Sequence, residues 1–219
     1  FIIPKNFLHV SSYSSFRHYL LKEKTIVSII DIGSHFKKVR GEQIIITIKN
    51  SKPEDNYITI KELRGEKFIP LTQVPQKLFD NKIILFSNYW DYELYMKYLY
   101  FNNYDLLINL GEIKRGRSKS SGAVKGKDIR KFGFKNKMFP SKGNKIFIQN
   151  IYSSEAGIIA SFGGNLEASQ NVTIYDAADE VDCRYILGIL HSNLCNYLLN
   201  KFIYNSSKLT MHTDADYIG

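Results

Sequence analysis

Two runs of β-branched residues constrain the fold of this chain more than any other feature. Thr25 to Ile32 (TIVSIIDI) is apolar and β-branched almost throughout, and Gln43 to Ile48 (QIIITI) repeats the pattern after a turn at Gly33-Ser34. Such side chains lose little freedom on a pleated surface, so each run reads as a buried strand. Ahead of them, Phe1-Ile2-Ile3 reads as a short strand whose ladder ends at Pro4. Ser11 or Ser12 is placed to cap a helix reaching about Lys24, with Tyr13, Phe16, Tyr19 and Leu20 as its apolar face. Strand, helix, strand, turn, strand is an α/β layer, and one without the opening half of such a domain. The chain opens on Phe1 rather than Met, with no basic leader and apolar core, and reads as a fragment or a processed product.

Farther along, the pattern changes. Ser51 to Asp55 is a turn cluster, and Tyr57 to Ile60 alternates as a short strand. From about Tyr89 to Asn102 an aromatic helix is expected, with Trp90, Leu94, Tyr98 and Phe101 on one face, and likewise Tyr95 and Leu99, the stripe packing between two domains. Lys145 to Ile151, Gly157 to Phe162 and Asn171 to Tyr175 look like strands. Asp182 is placed to cap a long C-terminal helix in which Ile186, Leu190, Leu194, Leu198 and Phe202 recur every four residues. The fold class expected is α+β: the closing strands of an α/β sheet, then a mixed β-rich domain with that helix.

Charge is distributed unevenly. The net charge is +9, from 30 basic and 21 acidic residues. Between Lys114 and Lys145 stand twelve lysines or arginines against one acid, Asp128, so this single segment makes the whole chain basic. Five of the 14 glycines and several serines share the segment, and glycine lets a backbone approach a phosphate closely. Clustered cations on Gly-rich loops are the electrostatic footprint of polyanion binding. The candidate DNA-binding residues are therefore Lys114, Arg115, Arg117, Lys119, Lys125, Lys127, Arg130, Lys131, Lys135 and Lys137, with His212 added near the end of the chain. Arginine has the fork geometry that reads guanine O6 and N7, which makes Arg115, Arg117 and Arg130 candidates for base contacts. Phe132, Phe134 and Phe139 interleave with the charges and are candidates to wedge or stack.

Other chemistries find less support. No apolar run approaches the roughly 20 residues a membrane helix needs, and the basic segment has no amphipathic helix of the inserting type. No membrane partner and a cytoplasmic location are expected. Cys183 and Cys195 are not a CxxC pair and fall in an apolar helical pattern, so they read as reduced core thiols. His9, His18, His35, His191 and His212 form no metal-ligand pair. No catalytic residue and no metal site is assigned.

Several blocks, in order, resemble a known family. FIIPKNFL (Phe1 to Leu8), FRHYLL (Phe16 to Leu21), VSIIDIGSHFKKV (Val27 to Val39) and EQIIITIKN (Glu42 to Asn50) resemble the end of the catalytic domain in N6-adenine DNA methyltransferases of type IIG restriction–modification systems. GEIKRGRSKSS (Gly111 to Ser121), KGKDIRKF (Lys125 to Phe132), IYDAADE with YILGILHSNLCNYLL, and LTMHTDADYIG (Leu209 to Gly219) are similar to the TaqI-like specificity domain of that family. The resemblance implies residues 1–50 as the end of the methyltransferase domain, 51–104 as a connector with the aromatic helix, and 105–219 as the DNA target-recognition domain. Its implied partners are double-stranded DNA and an upstream methyltransferase domain of the same polypeptide. The Asn-Pro-Pro-Tyr motif and the Gly-rich cofactor loop of the family are missing from the chain. By resemblance, S-adenosylmethionine belongs to the parent enzyme, with Mg²⁺ if the parent also cleaves DNA.

Two alternatives stand beside this reading. The specificity subunit of a type I restriction system binds DNA with a similar domain, but would not carry the methyltransferase tail at Phe1 to Asn50. A Mg²⁺-dependent nuclease would use Asp105 with Glu112-Ile113-Lys114, an acid…E-x-K arrangement that positions the ion and activates water.

Overall fold

The computed structural model describes residues 1–36, 38–100, 107–135, 142–178, 181–208 and 211–218. The fold is α+β, and the chain divides into two compact units, residues 1–102 with 201–209 and residues 103–200 with 210–219.

The first unit is built on a five-stranded mixed sheet. Its strands are β1 (Ile2–Pro4), β2 (Thr25–Gly33), β3 (Gln43–Lys49), β4 (Tyr57–Arg64) and β5 (Lys67–Pro75), in the order β1-β3-β2-β4-β5. Strand β3 runs antiparallel to both β1 and β2, while β4 runs parallel to β2 and antiparallel to β5. The β-branched runs hold the centre: Ile26, Ile29, Ile44, Ile46 and Ile58 are fully buried. β4 and β5 form a hairpin in which Arg64 pairs with Lys67 across Gly65-Glu66. Gly65 at φ 61° supplies the first central residue of such a turn, a conformation that costs other residues a steric clash.

Helix α1 (Ser14–Glu23) turns a different face inward from the one its aromatic spacing suggests. Arg17, Leu20 and Leu21 are buried, whereas Tyr13, Phe16 and Tyr19 are exposed. The reason is hydrogen bonding. The Arg17 guanidinium donates to the carbonyls of Phe7 (2.8 Å), Val10 (2.7 Å) and Asn81, and to Asn81 Oδ1 (3.1 Å), satisfying turns that would otherwise bury bare oxygens. Gln76 does the same at the other end of α1. Its amide donates to Leu21 O and Lys24 O, both at 2.8 Å, and its oxygen accepts from Ile26 N at 2.9 Å.

The aromatic segment begins as α2 (Tyr89–Leu94), capped by Asn88, and continues as a π turn from Tyr95 to Tyr100. The wider turn alters the helical spacing. Trp90 stands 79% exposed, and the packed ring is Tyr95, which meets Phe86 and Phe202 at 5.5 Å between centroids. The Tyr98 side chain and Phe101 lie outside the described residues.

The second unit contains a four-stranded antiparallel sheet and a small hairpin. Strands β6 (Gly111–Arg115), β7 (Ile129–Arg130), β8 (Gly133–Phe134), β9 (Lys145–Gln149), β10 (Ala160–Phe162) and β11 (Val172–Ala177) give the sheet β10-β9-β11-β6 and the hairpin β7-β8. Helix α3 (Cys183–Leu190) buries Ile186, Leu187 and Leu190, and the Asp182 side chain accepts from Arg184 N at 2.8 Å as its cap. The long C-terminal helix expected from the sequence is broken. Ser192 caps a new helix, α4 (Asn193–Leu198), with its hydroxyl accepting from Cys195 N at 3.0 Å. Past that break the four-residue repeat no longer tracks burial, and Leu194 is exposed. Helix α5 (Ala215–Ile218) closes the described chain. Both cysteines are free thiols, Cys183 buried and Cys195 partly so.

Candidate nucleic-acid interface

The basic segment starts where β6 leaves its ladder. Past Arg115 the chain is stitched by backbone hydrogen bonds to the turn that precedes β11. Gly116 N donates to Val172 O (2.9 Å), Ser118 N to Ala168 O (3.0 Å), Val124 N to Glu167 O (2.9 Å), and Ser169 N to Val124 O (2.9 Å). The glycines make this approach possible. A Cβ on Gly116 would lie 2.3 Å from Ser169 O, and one on Gly126 would lie 2.6 Å from Asn171 O. Apolar residues spaced through the segment anchor it from below. Val124 and Ile129 are fully buried with Phe147 and Val172, and Phe134 packs against the same cluster. The cations between those anchors, Lys125, Lys127 and Arg130, are thereby turned to solvent.

The structure sorts the candidate residues. Lys114 is committed to acids, with its ammonium 2.5 Å from Glu112 and 3.3 Å from Asp176. Those bonds, the one to Glu112 first, hold its pKa above the usual lysine value. Arg115 makes a two-pronged pair with Asp214, Nε to Oδ1 at 3.0 Å and Nη2 to Oδ2 at 2.9 Å. Its fork is thus already filled. Arg117 and Lys119, by contrast, are exposed and have no ion pair among the described residues. With Gly116, Ser118, Ser120, Ser121 and Lys125 they line a surface cleft of about 710 Å³, whose opposite wall is Ser169, Gln170 and Asn171.

Lys127, Lys131 and Lys135 are also exposed, and Arg130 donates to the carbonyls of Lys127 (2.8 Å) and Ile129 (3.0 Å). Lys137 and Phe139 lie outside the described residues. His212 Nδ1 sits 3.1 Å from Asn150 O, Asn150 N donates to Asn171 O at 3.3 Å, and Asn171 lines the cleft. His212, Arg115 and the cleft therefore share one end of the sheet.

Two of the three phenylalanines can be placed. Phe134 is half-buried, packing against the core cluster and facing Phe147 at 6.3 Å. Phe132 stands 55% exposed at the tip of the β7-β8 hairpin, in a left-handed conformation (φ 62°). Its ring meets His191 edge-on at 4.1 Å. Burial, then Lys131, lowers the pKa of His191, so this ring is neutral near pH 7.

For the nuclease alternative, Asp105 lies outside the described residues, and Glu112 and Lys114 neutralise one another. Among the described residues no group of three His, Cys, Asp or Glu side chains is arranged to hold a metal ion. No helix of the described residues is long and apolar enough to cross a membrane.

Sequence reading missed Asp214 as the partner of Arg115 and Ser169 to Asn171 as a cleft wall. The first pairing spans 99 positions and leaves no local signal. The second had a weak one, the polar run Ser169-Gln170-Asn171 just before a strand.

The chain matches no protein-family model and no curated protein. Among solved structures it is similar to the type IIG restriction endonuclease BpuSI, with a TM-score of 0.35 and 11% identity over 87% of this chain. The match covers 36% of that protein, so the chain spans about a third of its neighbour's length.

Proposed function

We propose that the chain is the sequence-recognition part of a restriction–modification enzyme that methylates adenine N6, with the second unit binding double-stranded DNA. The observation that carries the reading is a loop pinned by four backbone hydrogen bonds, which places the side chains of Arg117, Lys119 and Lys125 around one cleft with no ion pair among the described residues. Exposed cations that neutralise phosphates release counterions, which gives affinity without sequence preference. Base reading needs a side chain held in fixed register, and the anchored backbone beside Arg117 provides that. In this reading the Arg115 fork is withheld from DNA by Asp214, and Arg117 is the base reader.

Methyl transfer is assigned to the upstream domain. The chain lacks the Asn-Pro-Pro-Tyr motif and the Gly-rich cofactor loop of the resembling family. The cavity of the first unit is lined by five basic and three acidic residues, a poor match for the sulfonium cation of S-adenosylmethionine.

The test is Arg117→Ala in the complete enzyme, scored by methylating a randomised site library and sequencing the products. Preference should relax at one base pair, with the discrimination lost there worth about 1–3 kcal/mol. An even loss across the library would make Arg117 a phosphate contact and move base reading elsewhere.

A further inference from the structure

The first unit contains a cavity that the DNA reading does not use. It has a volume of about 670 Å³, within the roughly 300–1,000 Å³ of small-molecule sites. Topology places it. β1 and β2 both run antiparallel to β3, and are therefore parallel to one another, and β4 is parallel to β2. The carboxyl ends of all three open on the same edge of the sheet. Lys5 follows β1, Asp31 to Gly33 close β2, Glu62 to Arg64 close β4, and all of them line the cavity. Open sheets with parallel strands bind ligands at that edge.

The charges facing the cavity are not balanced. Two of its three acids are paired with cations, and the third is held by neutral donors. Asp31 pairs with the buried Lys5 at 2.6 Å, and Glu62 with Arg64 at 2.9 Å. Glu42 accepts from the Ser207 hydroxyl at 2.5 Å and from Lys208 N at 3.3 Å. Lys61 and Lys208 line the cavity with no ion pair among the described residues, and Lys201 reaches only the Ser87 hydroxyl, at 2.9 Å. What remains is a surplus of ammonium groups above a sheet edge.

Backbone strain marks the same place. Asn205 (φ 52°) and Ser206 (φ 53°) are consecutive non-glycine residues in the left-handed region, an arrangement that persists only where surroundings enforce it. Asn205 is held on both sides of its amide, accepting from Leu85 N at 2.7 Å and donating to Ile83 O at 3.0 Å. Ser206 lines the cavity, and its hydroxyl is buried with no hydrogen-bond partner among the described residues. A strained turn whose buried hydroxyl lacks a partner, beside ammonium groups with no ion pair among the described residues, supplies the donors an anion needs.

We infer that this cavity binds a phosphate group, carried by a free mononucleotide or by a DNA strand, through Lys61, Lys208 and the Ser206 hydroxyl. None of these residues lies in the unit to which sequence recognition is assigned, so the inference stands apart from that reading.

The experiment uses the full chain, titrated calorimetrically with adenosine monophosphate and with inorganic phosphate, and by fluorescence anisotropy with a labelled duplex. The wild type is compared with K61A/K208A and, as a control in the other unit, K125A/K127A. A free nucleotide as ligand gives binding that weakens about tenfold or more in K61A/K208A and is unchanged in K125A/K127A. DNA as the source gives no nucleotide binding but a weaker duplex affinity in K61A/K208A, in addition to the loss in K125A/K127A. Ser206→Gly adds a check, because it relieves the strain and removes the hydroxyl. The melting temperature should rise while phosphate binding falls. A rise with binding intact would make the turn merely structural. If K61A/K208A, melting as the wild type does, alters neither nucleotide nor duplex binding, the inference is overturned.

Discussion

The two units treat charge in opposite ways. In the first, Arg17, Lys5, Glu42 and Asp91 are almost wholly buried, and Arg17 alone holds three carbonyls and an amide oxygen. In the second, Arg117, Lys119, Lys125 and Lys127 are exposed, and the backbone beneath them is fixed by glycine contacts and buried isoleucine and valine. The contrast teaches that residue type does not decide role. In one unit charged side chains hold the backbone in place, and in the other the backbone holds charged side chains out. Removing one of these buried charges from the first unit should therefore cost stability, and removing one of these exposed cations from the second should cost binding.

The largest effect is expected at Arg17. Arg17→Ala leaves its carbonyl partners unsatisfied in an apolar setting and should lower stability by about 3–5 kcal/mol. Urea titration followed by circular dichroism measures it, and a loss under about 1 kcal/mol would break the comparison at its strongest point.

His9 gives the next effect, and it depends on pH. Burial, reinforced by Arg17, Lys82 and Lys5, lowers its pKa from 6.5 to about 4. Because the unfolded chain takes up the proton first on acidification, the neutral buried ring favours folding fully above pH 6.5. That contribution fades as pH falls toward 4, by about 3 kcal/mol in all. Unfolding measured across this window should show a slope near one proton, and His9→Gln should flatten it. An unchanged slope in the variant would assign the acid sensitivity to other groups.

The smallest effect sharpens the second half of the comparison. Arg115 and Asp214 form an exposed pair, worth less than about 1 kcal/mol to stability. Asp214→Asn should therefore leave stability almost unchanged while raising duplex affinity by a few-fold, since a negative charge is taken from the binding face and the Arg115 fork is freed. Weaker DNA binding in this variant would mean that the pair positions Arg115 for its contact rather than withholding it.

How much of this was legible in the sequence follows from the range of each interaction. The isoleucine runs of β2 and β3, the Asp182 cap and the basic segment were readable, because each depends on residue type or on neighbours a few positions apart. The Gly65-Glu66 hairpin carried a local signal, a glycine between two strand-forming runs, yet the sequence reading took in only Tyr57 to Ile60. The inward face of α1 was not legible. Three aromatic residues at helical spacing outweighed one arginine on paper, and only the carbonyls of Phe7, Val10 and Asn81 reverse that order. The break at Ser192 sat within an unbroken leucine repeat, where a capping serine looks like any polar position of a helix. In the candidate site, charge sign and loop composition were readable, but the sorting of Lys114 and Arg115 into paired residues and Arg117 into an unpaired one depends on Asp176 and Asp214, far along the chain.

The central claim is that the exposed cations of the second unit meet DNA phosphates. Duplex affinity measured against salt concentration tests it most directly, with wild type beside K125A/K127A. If the face contacts roughly 6–10 phosphates, log affinity should fall against log salt with a slope near −0.9 per contact. The double variant should flatten that slope by up to about two units, with stability changed by no more than about 0.5 kcal/mol. A slope that is the same in both proteins would contradict the account and place the DNA-binding face elsewhere.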